Sequence, residues 1–159
     1  MKLLDRVMLP LRVLLVVFFV GLVFGQVVSL PGQFAHLASE EPDLAYLRWP
    51  LTVWSILEVL AVQVVVVCTW RLLSLVRADR IFSEEAFRWV DGIVAALAAG
   101  WALFASFAAY VIARSDEPGT PILLIGMTLA AGVALLVMVV MRALLHQATA
   151  LRLDLDGVI

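Results

Sequence analysis

Four stretches of this sequence stay predominantly apolar for twenty residues or so each, approximately 7–28, 51–76, 89–113 and 121–141. A helix needs roughly 20 such residues to cross the hydrocarbon core of a bilayer. Lipid admits only backbones whose polar groups are satisfied internally, which means helices or closed barrels. The chain is therefore expected to be an all-α integral membrane protein, with four transmembrane helices in an up-down bundle. Composition agrees, at 64% hydrophobic and 15% charged residues, where soluble domains average roughly 45–50% and about 25%. That leaves room for one membrane domain over residues 1–159, with outer loops 29–50 and 114–120, an inner loop 77–88 and a tail 142–159.

The arginines are sorted. Lys2, Arg6, Arg12, Arg71, Arg77, Arg80, Arg88, Arg142 and Arg152 fall on the termini and the middle loop, whereas the outer loops carry only Arg48 and Arg114. Basic residues flanking a span are retained on the cytoplasmic side, so both termini are expected in the cytoplasm. The middle loop also carries a helix start: Ser83 as N-cap, Glu84 and Glu85 against the positive end of the dipole, and Phe82 with Phe87 as a hydrophobic staple. The first apolar run is longer than the h-region of a secretory signal and is preceded by Asp5, which favours an uncleaved span. Pro31-Gly32 signals a turn in the outer loop. Tyr46, Trp49 and Trp54 mark the outer interface. Gly92, Ala96 and Gly100 on the third span, and Gly126, Ala130 and Ala134 on the fourth, are stripes that allow close helix approach.

The fourth helix is expected to continue into the cytosol. Met141, Leu144, Ala148, Leu151, Leu155 and Val158 alternate in steps of three and four, the spacing of a coiled-coil seam. Two readings fit. In the favoured one the stripe packs on the protein's own 82–90 segment; in the other, Phe82, Phe87, Leu144, Ala148, Leu151, Leu155 and Val158 form a face for another protein or a second copy.

Three segments resemble a known family. Val67-Cys68-Thr69-Trp70-Arg71-Leu72-Leu73, Arg80-Ile81-Phe82-Ser83-Glu84-Glu85-Ala86, and the ending from Arg142 through Ile159 are similar to a small bacterial four-span family catalogued only as domain of unknown function number twenty-nine seventy-five. The resemblance covers essentially the whole chain and is to an actinobacterial-type member. It implies a multi-pass protein of the bacterial cytoplasmic (inner) membrane. Members are often encoded beside a helix-turn-helix regulator, which suggests a regulatory role at the membrane. It supplies no catalytic residues.

Chemistry is sparse. His36 and His146 are expected on opposite sides of the membrane, and no Cys-x-x-Cys, phosphate loop or His-Glu-x-x-His occurs. No span contains a histidine to serve a serine nucleophile. Cys68, inside an apolar run, reads as a small buried hydrophobe. An enzyme is not expected, nor is any cofactor, metal or direct nucleic-acid contact; the expected partners are the lipid bilayer and a cytosolic protein or a second copy through the C-terminal helix.

Glu58 is the anomaly, because an ionisable residue within a span marks a functional site by default. It lies seven residues below Leu51, or roughly 10 Å at about 1.5 Å per residue. Counting inward from the outer helix ends puts Ser106 and Thr128 at the same depth and Tyr110 one turn above. These four are expected to form a polar layer with Gln26 as an upper member, and Gln63 is placed level with the Trp101 indole. Glu58 then either cross-links helices as a neutral carboxyl, serves as a proton or cation site of a small transporter or channel subunit, or meets headgroups. At the inner rim, Asp91 could clamp Arg71, with Arg142 as a competing partner. The function that follows is a non-enzymatic membrane protein acting through its inner loop and tail, with the Glu58 transporter as the alternative.

Overall fold

The computed structural model describes the backbone of residues 2–40, 42–78, 80, 83–115 and 118–156, and the side chains of 8–40, 45–78, 80, 83–115 and 118–151. Among these residues the regular structure is entirely helical. The elements are α1 (Lys2–Phe24), a π turn (Gly25–Ser29), α2 (Leu30–Glu40), a 3-10 turn (Pro42–Leu47), α3 (Arg48–Arg77), α4 (Glu84–Ile112) and α5 (Gly119–Asp156). Four stretches, Met8–Glu40, Ala45–Arg77, Glu84–Ile112 and Gly119–Leu151, are long and apolar enough to cross a membrane.

The first departure from expectation lies at Pro31-Gly32. The chain does not turn there; it stays helical to Glu40. The π turn explains how. Proline inside a helix lacks a donor and collides with the carbonyl four residues back. Here the helix widens just ahead of the proline, with the Leu30 N–H bonding the Gly25 carbonyl, so the misfit is absorbed as a π bulge. The outer loop expected over 29–50 is thus mostly α2, which packs along α3.

α4 starts where the sequence says. Ser83 is extended (φ −93°, ψ 155°), and its side chain accepts from the Ala86 N–H at 3.4 Å, with Glu84 and Glu85 in the first turn. Phe82 lies outside the described residues, as does the staple expected of it. Ala86, Val90, Ile93, Ala96 and Gly100 recur every three or four residues and form the buried face of the helix.

The helices are neighbours in series: α1 on α3, α3 on α4, α4 on α5. All three pairings are antiparallel. Arg12 meets Ser74 and Gln26 meets Gln63; Gly92 meets Cys68 and Gly100 meets Ala61; Asp91 meets Arg142 and Trp101 meets Thr128. A closed four-helix bundle would also set α1 against α5, and among the described residues no such interface exists on the scale of the other three. The up-down order holds; the ring is open. Lipid tails are as apolar as leucine, so an outward-facing apolar helix face carries no solvation penalty that would force closure.

Of the two small-residue stripes, the one on α4 is used. A Cβ on Gly92 would stand 3.0 Å from Cys68 Sγ, and one on Gly100 would stand 3.5 Å from Ala61 Cβ. The α5 stripe is not covered in the same way. Gly126 has nothing within 4 Å of its missing Cβ, and Ala130 is exposed.

Candidate functional site

Three places carry the polar residues and the seam: the middle of the spans, the helix ends where Asp91 and Arg142 lie, and the far end of α5. In the middle, the expected single polar layer does not form. Ser106 Oγ donates to the Leu103 carbonyl at 2.8 Å, and Thr128 Oγ1 to the Leu124 carbonyl at 2.7 Å. A helical hydroxyl satisfied by its own preceding turn needs no partner across the bundle. Tyr110 instead lies under the Arg114 guanidinium, 4.0 Å from ring centroid to Cζ. Depth also separates them. α3 begins at Arg48, so Glu58 sits ten residues in, about 15 Å at 1.5 Å per residue. It faces Gly100, with Oε1 3.6 Å from where a Cβ would stand. Ser106 lies six residues nearer the outer end of α4 and is exposed.

Gln63 and Trp101 are not partners either. Gln63 Nε2 donates to Gln26 Oε1 at 2.9 Å, and Gln26 Nε2 donates to the Ile56 carbonyl at 3.3 Å. The Trp101 indole turns the other way and donates to the Thr128 carbonyl at 3.0 Å, lying over Gly132. Trp54, expected at the outer interface, donates to the Leu103 carbonyl at 3.1 Å and packs edge-on against Phe107. The sequence held one signal for the glutamine pair. Once α2 is recognised as helix, Gln26 lies fourteen residues below Glu40 and Gln63 fifteen below Arg48, so the two amides are level.

Glu58 is left over. Its Oε2 is buried and has no hydrogen-bond partner, so the reading of Glu58 as a hydrogen-bonded cross-link between helices is not what the structure shows. The carboxyl lies where two cavities meet. The inner one, about 330 Å³, runs among α3, α4 and α5; the outer one, about 260 Å³, runs towards Leu51 and Trp54.

At the rim expected to be the inner one, Asp91 pairs with Arg142 Nε, not with Arg71. Arg71 stacks on Trp89, 5.6 Å from the ring centroid, and Arg12 similarly covers Trp70 at 5.4 Å while donating to Ser74 Oγ at 3.2 Å. The clamp therefore joins α4 to α5. Beside it, Phe87 and His146 stack at 4.1 Å with their planes 15° apart.

These contacts set the rotation of α5. Leu124, Thr128, Gly132, Leu135, Met138, Arg142, Leu145 and Thr149, all buried or half-buried, recur in steps of three or four and form its packed face. The predicted seam points elsewhere. Met141 is 59% exposed, Leu144 53% and Leu151 65%, with Ala148 exposed between them. At 100° per residue the two faces lie roughly 120° apart around the helix. Over its described part, 141–151, the stripe does not pack on the 83–90 segment as favoured: a charge pair and a ring stack hold the helix by its more polar side. Phe87 consequently belongs to the internal contact rather than to a partner face. Of the remaining residues expected there, Leu155 lies beyond the described side chains, and Phe82 and Val158 lie outside the described residues.

Among the described residues no group of three or more His, Cys, Asp or Glu could hold a metal ion. No curated protein and no solved structure matches the chain. The sequence profile of one family matches residues 32–159, which takes in α3, α4, α5 and most of α2. A multi-pass, all-helical chain matched over that range belongs to the family described as Protein of unknown function (DUF2975).

Proposed function

We propose that this is a non-enzymatic protein of the bacterial cytoplasmic membrane that holds a soluble regulatory protein at the inner surface through the far end of α5. The observation that carries the reading is the bare seam of Met141, Leu144, Ala148 and Leu151, apolar and exposed while a different face of the same helix is packed. α5 has 38 residues, about 57 Å at 1.5 Å per residue, against a hydrocarbon core of ~30 Å. Part of it must leave the membrane, and the arginine sorting directs its C-terminal part to the cytoplasm. Inside the bilayer an apolar stripe faces lipid at no cost. In water the same stripe calls for a cover, and a heptad-spaced stripe is covered by another amphipathic helix. The family's association with helix-turn-helix regulators makes such a regulator the first partner to try.

A photo-crosslinking residue placed at Leu144 or Leu151 in intact cells tests this. Adducts to one soluble protein are expected from both positions, and none from Ala143 or Ala150, which are exposed but off the seam. An adduct twice the mass of the chain would show that a second copy covers the seam and overturn the soluble-partner reading. Equal labelling from seam and off-seam positions would overturn the docking face itself.

A further inference from the structure

We propose that the groove around Glu58 binds a lipophilic organic cation, an apolar body carrying a single positive charge. The inference goes beyond the docking role of α5 and does not depend on it. Three features of the groove select this chemistry. First, Glu58 Oε2 is buried without a hydrogen-bond partner: the Trp54 and Trp101 indoles donate elsewhere, to the Leu103 and Thr128 carbonyls, and Ser55, which lines the outer cavity beside Glu58, does not bond the carboxyl. Nothing in the protein completes the carboxyl, and a ligand's charge or N–H would.

Second, the walls are rings. Trp101 and Phe104 line the inner cavity, and Trp54, Phe104 and Phe107 line the outer one, with Glu58 common to both. Aromatic faces attract a desolvated cation. Glu58, the one acidic residue among those lining the two cavities, supplies the negative charge that fixes its orientation, any proton it carries leaving as the cation binds. Third, the volume fits. The inner cavity of about 330 Å³ falls within the range of small-molecule sites. It exists because Gly100 leaves room where a larger side chain would press on Glu58. Its rim at Met127 is exposed on the membrane-facing side of α5, so a ligand dissolved in the bilayer reaches it without crossing water. A bare metal ion is a poorer fit, since hard cations need six or so oxygen ligands and one carboxyl provides two.

The test uses the full chain in lipid nanodiscs with two probes of the same shape and opposite charge, tetraphenylphosphonium and tetraphenylborate. Saturable phosphonium binding that quenches tryptophan fluorescence is expected, with at least tenfold weaker binding of the borate. Glu58→Gln is expected to weaken phosphonium binding at least tenfold while leaving the melting temperature in place, and Glu58→Asp to recover most of it. Equal binding of the two ions would overturn the proposal without recourse to any variant. So would a folded Glu58→Gln protein that binds the phosphonium as wild type does.

Discussion

Replacing Gly100 with leucine is expected to lower the melting temperature in detergent by roughly 2–12 °C, whereas alanine at the same position should leave it unchanged. The difference comes from how closely α3 and α4 approach. A Cβ at Gly100 would stand 3.5 Å from Ala61 Cβ and 3.6 Å from Glu58 Oε1, ordinary contact distances that a methyl group tolerates. A leucine carries three further carbons into the same space. Overpacking of this kind costs about 1–3 kcal/mol, and a domain of this size loses about 2–4 °C per kcal/mol. Because Gly100 also borders the cavity at Glu58, the carbons of leucine that do not press on Ala61 are expected to take up part of that space. Retention of wild-type melting by Gly100→Leu would mean that the two helices are farther apart than described.

Gly132→Val should act comparably on the other side of α4. Its Cβ would stand 3.1 Å from Trp101 Nε1, so the indole must give by a few tenths of an ångström, and the two γ carbons of valine press it further from the Thr128 carbonyl. The expected loss combines a net hydrogen bond of about 1 kcal/mol with some overpacking, roughly 2 kcal/mol in all. A double-mutant cycle isolates the cause. In a Trp101→Ala background the valine should be nearly neutral, since the group it displaces is gone. Additive losses would show that Gly132 serves some contact other than the indole.

Both glycines show what a sequence of this kind reveals and conceals. The spans are legible, because twenty apolar residues have few other fates. The start of α4 is legible as well, since Ser83 and the two glutamates are a local signal that no tertiary contact overrides. The α4 stripe of small residues announces that some helix comes close, but not which one. Rotation is the quantity that stays hidden. In a span that is apolar all round, hydropathy carries no information about which side faces protein, so Trp101 and Gln63 could be placed at a depth but not on a face. Depth, too, depends on where each helix ends. Pro31-Gly32 ordinarily ends a helix; the π turn over Gly25–Ser29 carries it on, and only with that extension do Gln26 and Gln63 become level. The tail shows the converse. Its seam is plain from spacing, yet Asp91–Arg142 and Phe87–His146 decide which side of α5 packs, and they turn the seam outward.

The central claim is that this outward seam lies in the cytoplasm. It is tested most directly by placing the only thiol of the chain there, as Leu151→Cys in a Cys68→Ala background, and treating cells with a membrane-impermeant maleimide. No labelling of intact cells is expected, and full labelling of inside-out vesicles washed free of peripheral proteins. Labelling of Leu151→Cys in intact cells would put the tail outside the cell and contradict both the arginine-based orientation and the docking role built on it.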